Sequence, residues 1–135
     1  MKNFMLILLV FFMTSCEIPV GFHSDRNTRV GFFFTDKDGN DIFTDSLSLE
    51  DFSISTLEGM VGINHIDTIY NKTYFEISFL DDGDERAVAL FQFKEDADTV
   101  VVTFKKDYRY IRNLYYNGNH VNFDTAKGNL CTIIK

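Results

Sequence analysis

Residues 73–80 read TYFEISFL, and Phe75, Ile77 and Phe79 alternate with Glu76 and Ser78. A period of two fits a strand with one buried face. On a helix the same spacing would scatter the three apolar side chains around the axis. Comparable segments recur along the chain. RVGFFFT (29–35) is the first. DFSIST places Phe52 and Ile54 on one side, and MVGINHIDTIY (60–70) places Val61, Ile63 and Ile69 in one register. AVALFQF (87–93) sets Ala89, Phe91 and Phe93 together. TVVVTFK (99–105), YRYIRNLYY (108–116), HVNF (120–123) and LCTIIK (130–135) complete the series. Phe, Val, Ile, Thr and Tyr suit a pleated, half-buried surface.

The connections carry turn chemistry. DDGDER (81–86), KEDAD (94–98) and DTAKG (124–128) are polar turns, and Asn117-Gly118 between two strand patterns is the strongest hairpin signal of the chain. The one helical candidate is DSLSLEDF (45–52), a single turn capped by Asp45 or Ser46. The expected fold is an all-β, antiparallel β-sandwich of about seven to nine strands, with a closed barrel as the alternative.

The first twenty residues, MKNFMLILLVFFMTSCEIPV, have a different character. Lys2 is followed by an unbroken apolar run from Phe4 to Met13. A spanning helix needs about 20 apolar residues, so this run fits the apolar segment of a signal peptide. It ends in MTSC, which resembles the looser lipoboxes of bacterial lipoproteins. That resemblance implies cleavage before Cys16, a diacylglycerol on its sulfur and an acyl chain on its new amine. Two or three acyl chains would attach the protein almost permanently, because each buried methylene contributes about 0.8 kcal/mol. The expected division is a signal peptide at 1–15, a lipidated tether at 16–28 and one sandwich domain at 29–135.

Charge narrows the partners. Without Lys2 the chain keeps 12 of its 13 basic residues against 20 acids, a net charge of −8. Nucleic acid is excluded as a partner, since phosphate contacts need clustered Lys and Arg. An anionic membrane surface would repel the domain, so membrane contact is expected through the acyl chains. Of the two cysteines, Cys131 lies in an apolar strand and reads as a small core residue.

Two patterns are candidates for chemistry. TDKDGNDIF (35–43) opens like a calcium loop, with Asp36, Asp38 and Asn40 at its first, third and fifth positions. A full loop needs Gly at the sixth position and Glu at the twelfth, and here Asp41 and Leu47 stand there. Asp-Gly and Gly-Asn are also turn dipeptides. The preferred reading is a structural turn, with a weak calcium site as the alternative. The second pattern is DYRYIRNLYY, where alternation would set Tyr108, Tyr110, Arg112 and Tyr116 on one face. Tyr and Arg are enriched in binding hot spots, so these four are the ligand-binding candidates.

No catalytic constellation is visible in the sequence: the three histidines are scattered, and the paired carboxylates fall in polar turns, where ordinary pKa values are expected. The chain is expected not to be an enzyme and to need no cofactor beyond its acyl chains.

The combination of a lipobox, a first strand leading into Gly39-Asn40-Asp41, the run DTVVVTF, Tyr116-Asn117-Gly118 and a last strand ending IIK resembles small lipoproteins of Bacteroidota. The resemblance implies an immunoglobulin-like or transthyretin-like sandwich outside the cytoplasm, anchored to a bacterial membrane, with the outer membrane favoured. It carries no activity with it. The expected role is a binding or assembly module for an envelope protein or a glycan, with an envelope hydrolase or enzyme inhibitor as the alternative.

Overall fold

The computed structural model describes residues 28–44, 47–81, 83, 85–105 and 110–135. The expected signal segment, Cys16 and the expected tether up to residue 27 lie outside the described residues.

Among the described residues, nine strands form two sheets. They are β1 (Arg29–Thr35), β2 (Phe52–Glu58), β3 (Met60–Ile69), β4 (Lys72–Leu80), β5 (Arg86–Phe93), β6 (Asp96–Phe104), β7 (Ile111–Tyr116), β8 (Asn119–Val121) and β9 (Leu130–Ile134). One sheet has the order β3-β4-β1-β9 and the other β2-β5-β6-β7-β8. The fold is therefore the expected β-sandwich. Its sheets keep their edges, so it is not the closed barrel. All strand pairings are antiparallel except β1 with β9, which run parallel in the register Gly31↔Leu130 to Thr35↔Ile134.

Alternation explains the core. Phe32 and Phe34 of β1, Phe75, Ile77 and Phe79 of β4, Phe91 of β5 and Val100 and Val102 of β6 are all fully buried. Their rings meet mostly edge-on or tilted: Phe52 and Phe75 have centroids 4.7 Å apart, and Phe34 and Phe93 5.0 Å. Each buried Phe contributes about 1.5–3 kcal/mol by leaving water. Tilted ring pairs add about 0.5–1.5 kcal/mol each.

Gly59 lets the chain pass from one sheet to the other between β2 and β3. Its φ is +72°, and a Cβ there would lie 2.3 Å from the Leu80 carbonyl oxygen. The Asn117-Gly118 hairpin forms as expected, with both residues left-handed at φ 49° and 77° and Tyr116 paired with Asn119. The helical turn in 45–52 is a short 3-10 turn at Leu49–Asp51. Ser48 precedes it, and the Ser48 N–H donates to the Asp51 carboxylate at 2.9 Å. Asp45 and Ser46 lie outside the described residues.

Three local expectations are corrected. In β3 the register shifts between Ile63 and His65, leaving Asn64 as an extra residue whose side chain donates to Ser78 Oγ. Ile66 therefore stands opposite Phe75 and shares a face with Val61 and Ile63, while Ile69, opposite Lys72, faces the other way. KEDAD is mostly strand: Phe93 pairs directly with Asp96 across a two-residue turn with Lys94 at φ 54°. Finally, β7 carries an irregularity at Arg112, because Phe104 pairs with Ile111 and Thr103 with Asn113. Among the described residues, no helix is long and apolar enough to cross a membrane.

Candidate ligand-binding grooves

The acidic turn after β1 is held by its own side chains. Asp36 Oδ1 accepts the N–H groups of Asp38 at 2.8 Å and Asn40 at 2.9 Å, and Asn40 Nδ2 donates to Oδ2 at 3.1 Å. The bond from the Asn40 side chain is the largest cause holding the Asp36 carboxyl below its usual pKa. Gly39 supplies the left-handed residue, with φ +83°. Asp41 turns back toward the sandwich, and its Oδ2 accepts both the N–H and the hydroxyl of Thr73 at 2.6 Å. This is an Asx-type turn stapled to β4. Among the described residues, no three His, Cys, Asp or Glu side chains gather as a metal-binding group.

The Tyr and Arg candidates divide. Tyr108 lies outside the described residues. Tyr110 is 46% exposed, with Lys105 Nζ 5.9 Å from its ring centroid. Arg112 is exposed. Tyr116 is buried, so it does not share their face. The extra residue at Arg112 reverses the alternation. It turns Leu114 and Tyr116 into the core and leaves Tyr115 half-buried against His120, with ring centroids 5.6 Å apart.

Tyr116 belongs to a polar network that alternation alone does not announce. Its hydroxyl donates to the carboxylate of Asp98, which is only 5% exposed. Asp98 also accepts from Asn117 Nδ2 at 2.6 Å and from Lys135 Nζ. Lys135 bridges to Asp96 at 2.6 Å and sits 4.4 Å from the Phe93 ring centroid. Burial acts to raise the Asp98 pKa, but the hydrogen bonds from Lys135, Tyr116 and Asn117 outweigh it and hold the carboxyl below normal. Burial and the Asp98 charge push the Tyr116 hydroxyl well up. Burial acts against the Lys135 charge, yet its two carboxylate partners raise its pKa. Protons stay on Tyr116 and Lys135, so the network fastens β6, β7 and the residue after β9 rather than activating a nucleophile. Its one sequence signal is that Asp98 falls two residues before Val100, in the same inward register as Val102.

Cys131 is buried, and burial pushes its thiol up to about 12. It is the core residue expected.

Two recesses flank the turn between β8 and β9. The larger, about 340 Å³, is lined by Arg29, Tyr74, Glu76, Lys127 and Gly128. Its floor exists because residue 31 is glycine. A Cβ there would lie 2.6 Å from Tyr74 Cε2 and 2.8 Å from its hydroxyl oxygen. The Tyr74 ring lies over β1 and packs against Phe33 with centroids 5.6 Å apart. Arg29 Nη1 donates to Glu76 Oε1 at 2.9 Å across the β1–β4 pairing. Burial, then the Glu76 charge, raises the Tyr74 pKa. The second recess, about 250 Å³, is lined by Lys105, Tyr110, Ile111, Thr125 and Asn129.

The turn between the recesses is well anchored. Asp124 Oδ1 accepts the Ala126 N–H at 3.0 Å, ahead of a short 3-10 turn at Thr125–Lys127. Gly128 is left-handed. Asn129 Nδ2 donates to the Arg29 carbonyl at 3.0 Å, and the Gly31 N–H donates to the Asn129 carbonyl at 3.1 Å. Lys127 and Tyr110 are thus presented from opposite sides of one fixed loop at the start of β1. Strand reading identified Tyr110, but it missed Arg29, Tyr74, Glu76 and Lys127. Those four come from three distant segments, and only the β1–β4 pairing and the anchored turn bring them together.

No family model, no curated protein and no solved structure matches this chain.

Proposed function

We propose that this chain is a lipid-anchored envelope lipoprotein whose sandwich is a non-enzymatic binding module for a glycan or a protein segment. The lipobox ending at Cys16 supports the anchor, as does the likeness to small lipoproteins of Bacteroidota. The observation that carries the binding role is the 340 Å³ recess, in which Arg29, Glu76 and Lys127 offer donors and acceptors around one face of Tyr74. Pockets of this size bind small ligands through a few fixed polar groups. A sugar ring or a short peptide meets both an aromatic surface and hydrogen-bonding groups there. The recess adjoins Arg29, the first residue of β1, so a tether of residues 16–28 keeps it close to the bilayer.

Two measurements test the two parts. Labelled palmitate should enter the natural chain in its bacterial host and fail to enter Cys16→Ser; equal labelling overturns the anchor. Pull-downs from native envelopes should lose their captured species with Tyr74→Ala or Lys127→Ala. Tyr110→Ala reports on the neighbouring recess and Arg112→Ala on the exposed face of β7. Undiminished capture by all four folded variants overturns the binding site.

A further inference from the structure

β3 is an edge strand of ten residues and is exposed along most of its length. Met60, Ile63 and Ile66 of β3 and Tyr70 in the turn after it are exposed large side chains, and exposed Leu57 lies near the end of β2. Tyr70 is 87% exposed and stands at φ 53° in the β3–β4 turn, a left-handed conformation uncommon for a ring-bearing side chain. Natural sheets protect long edges with Lys, Pro, bulges or short strands. β3 contains neither Lys nor Pro. Thr56 Oγ1 occupies the Val61 N–H and carbonyl at 3.3 and 3.2 Å, and Asn64 forms a bulge. Both protections act before Ile66, and from there to Ile69 the strand is regular.

The ionisable side chains of this edge identify what pairs with it. His65 and Asp67 are the ionisable residues of β3, one on each side of Ile66. Both are exposed and 3.6 Å apart at Nε2 and Oδ2. In a two-fold contact, residue i meets residue j and j meets i. An antiparallel pairing centred on Ile66 sets each His65 opposite the partner copy's Asp67. It also brings the two Ile66 residues together. A strand from another protein has no need of this mirror arrangement; a second copy does.

We propose that β3 pairs with β3 of a second copy of this chain, antiparallel and centred on Ile66, forming a two-fold dimer through one continuous sheet. An imidazole donor facing a carboxylate acceptor across strands stabilises such a pair, and like charges destabilise it.

The test is thiol cross-linking of the full chain in cells. Chains carrying His65→Cys and Asp67→Cys, with different tags, are produced together and treated with a short bifunctional thiol reagent. The mixed pair should cross-link several-fold more than either variant alone, and the natural chain, with only Cys16 and Cys131, should not cross-link. Ile66→Lys on the tagged chains should abolish the mixed product. The proposal is overturned if the mixed pair gains nothing over the single variants, or if the cross-linked product joins this chain to a different protein.

Discussion

Asp41 Oδ2 holds both the backbone N–H and the hydroxyl of Thr73 at 2.6 Å, across 32 residues of sequence. The loop after β1 is thereby tied to the start of β4, and its carboxylates act on the chain's own backbone. Asp41→Ala removes an ionised acceptor from two donors at once. The expected cost is about 1–3 kcal/mol, read as a lower urea midpoint. Asp36→Ala, which loses the Asx turn, should lower the urea midpoint by the same amount with calcium or with chelator present.

Asp98 makes stability depend on acid. Its folded pKa lies below the 3.8 of a free carboxyl, so its contribution is complete above that value. The contribution is lost as pH falls through the folded pKa. Asp98→Asn should therefore flatten the fall of the unfolding midpoint below pH of about 4. Tyr116→Phe removes one donor to a buried charge and should cost about 1.5–3 kcal/mol at neutral pH. Wild-type stability there would sink the network as a structural lock.

The alkaline side has the opposite sign. Tyr116 and Lys135 both have raised folded pKa values. The stability they contribute is whole below their free values of 10.0 and 10.5 and is lost as pH rises beyond them. Tyr116→Phe should remove the tyrosine part of this loss in denaturant titrations at high pH.

Gly31 and Tyr74 should be coupled. Gly31→Ala pushes a methyl into the ring and is expected to cost about 1–3 kcal/mol. In a Tyr74→Ala background the same change should cost clearly less, and a double-mutant cycle measures the difference. Additive costs would show that the ring does not rest on residue 31.

Cys131 should be silent in the native protein. With its thiol pushed up to about 12 and its side chain buried, thiolate is scarce and access is closed. Peptide mass mapping after treatment with an alkylating reagent should find Cys131 modified only when denaturant is added.

Much of this architecture is legible in the residues because inward positions repeat every second residue. β1 spans Arg29–Thr35 as read, and the inward triplet of β4 is Phe75, Ile77 and Phe79. What alternation cannot show is a single extra residue. Neither Asn64 nor Arg112 has a glycine or proline beside it to mark a break in the strand. Each reverses the faces beyond it, which moved Ile69 outward and Tyr116 inward. Asp98 was hidden for another reason. An acid within a polar run reads as solvated until its three donors, from residues 116, 117 and 135, are brought in by tertiary pairing. The grooves depend in the same way on proximity that no local pattern encodes.

The parallel contact of β1 with β9 also governs timing. Asn129 and Arg29, joined by a hydrogen bond, stand 100 residues apart, and closing such a long interval is entropically slow. A ribosome delivers β1 long before its neighbour β9 exists. During that interval the first strand keeps one flank unsatisfied. Completion of the body waits on its last strand.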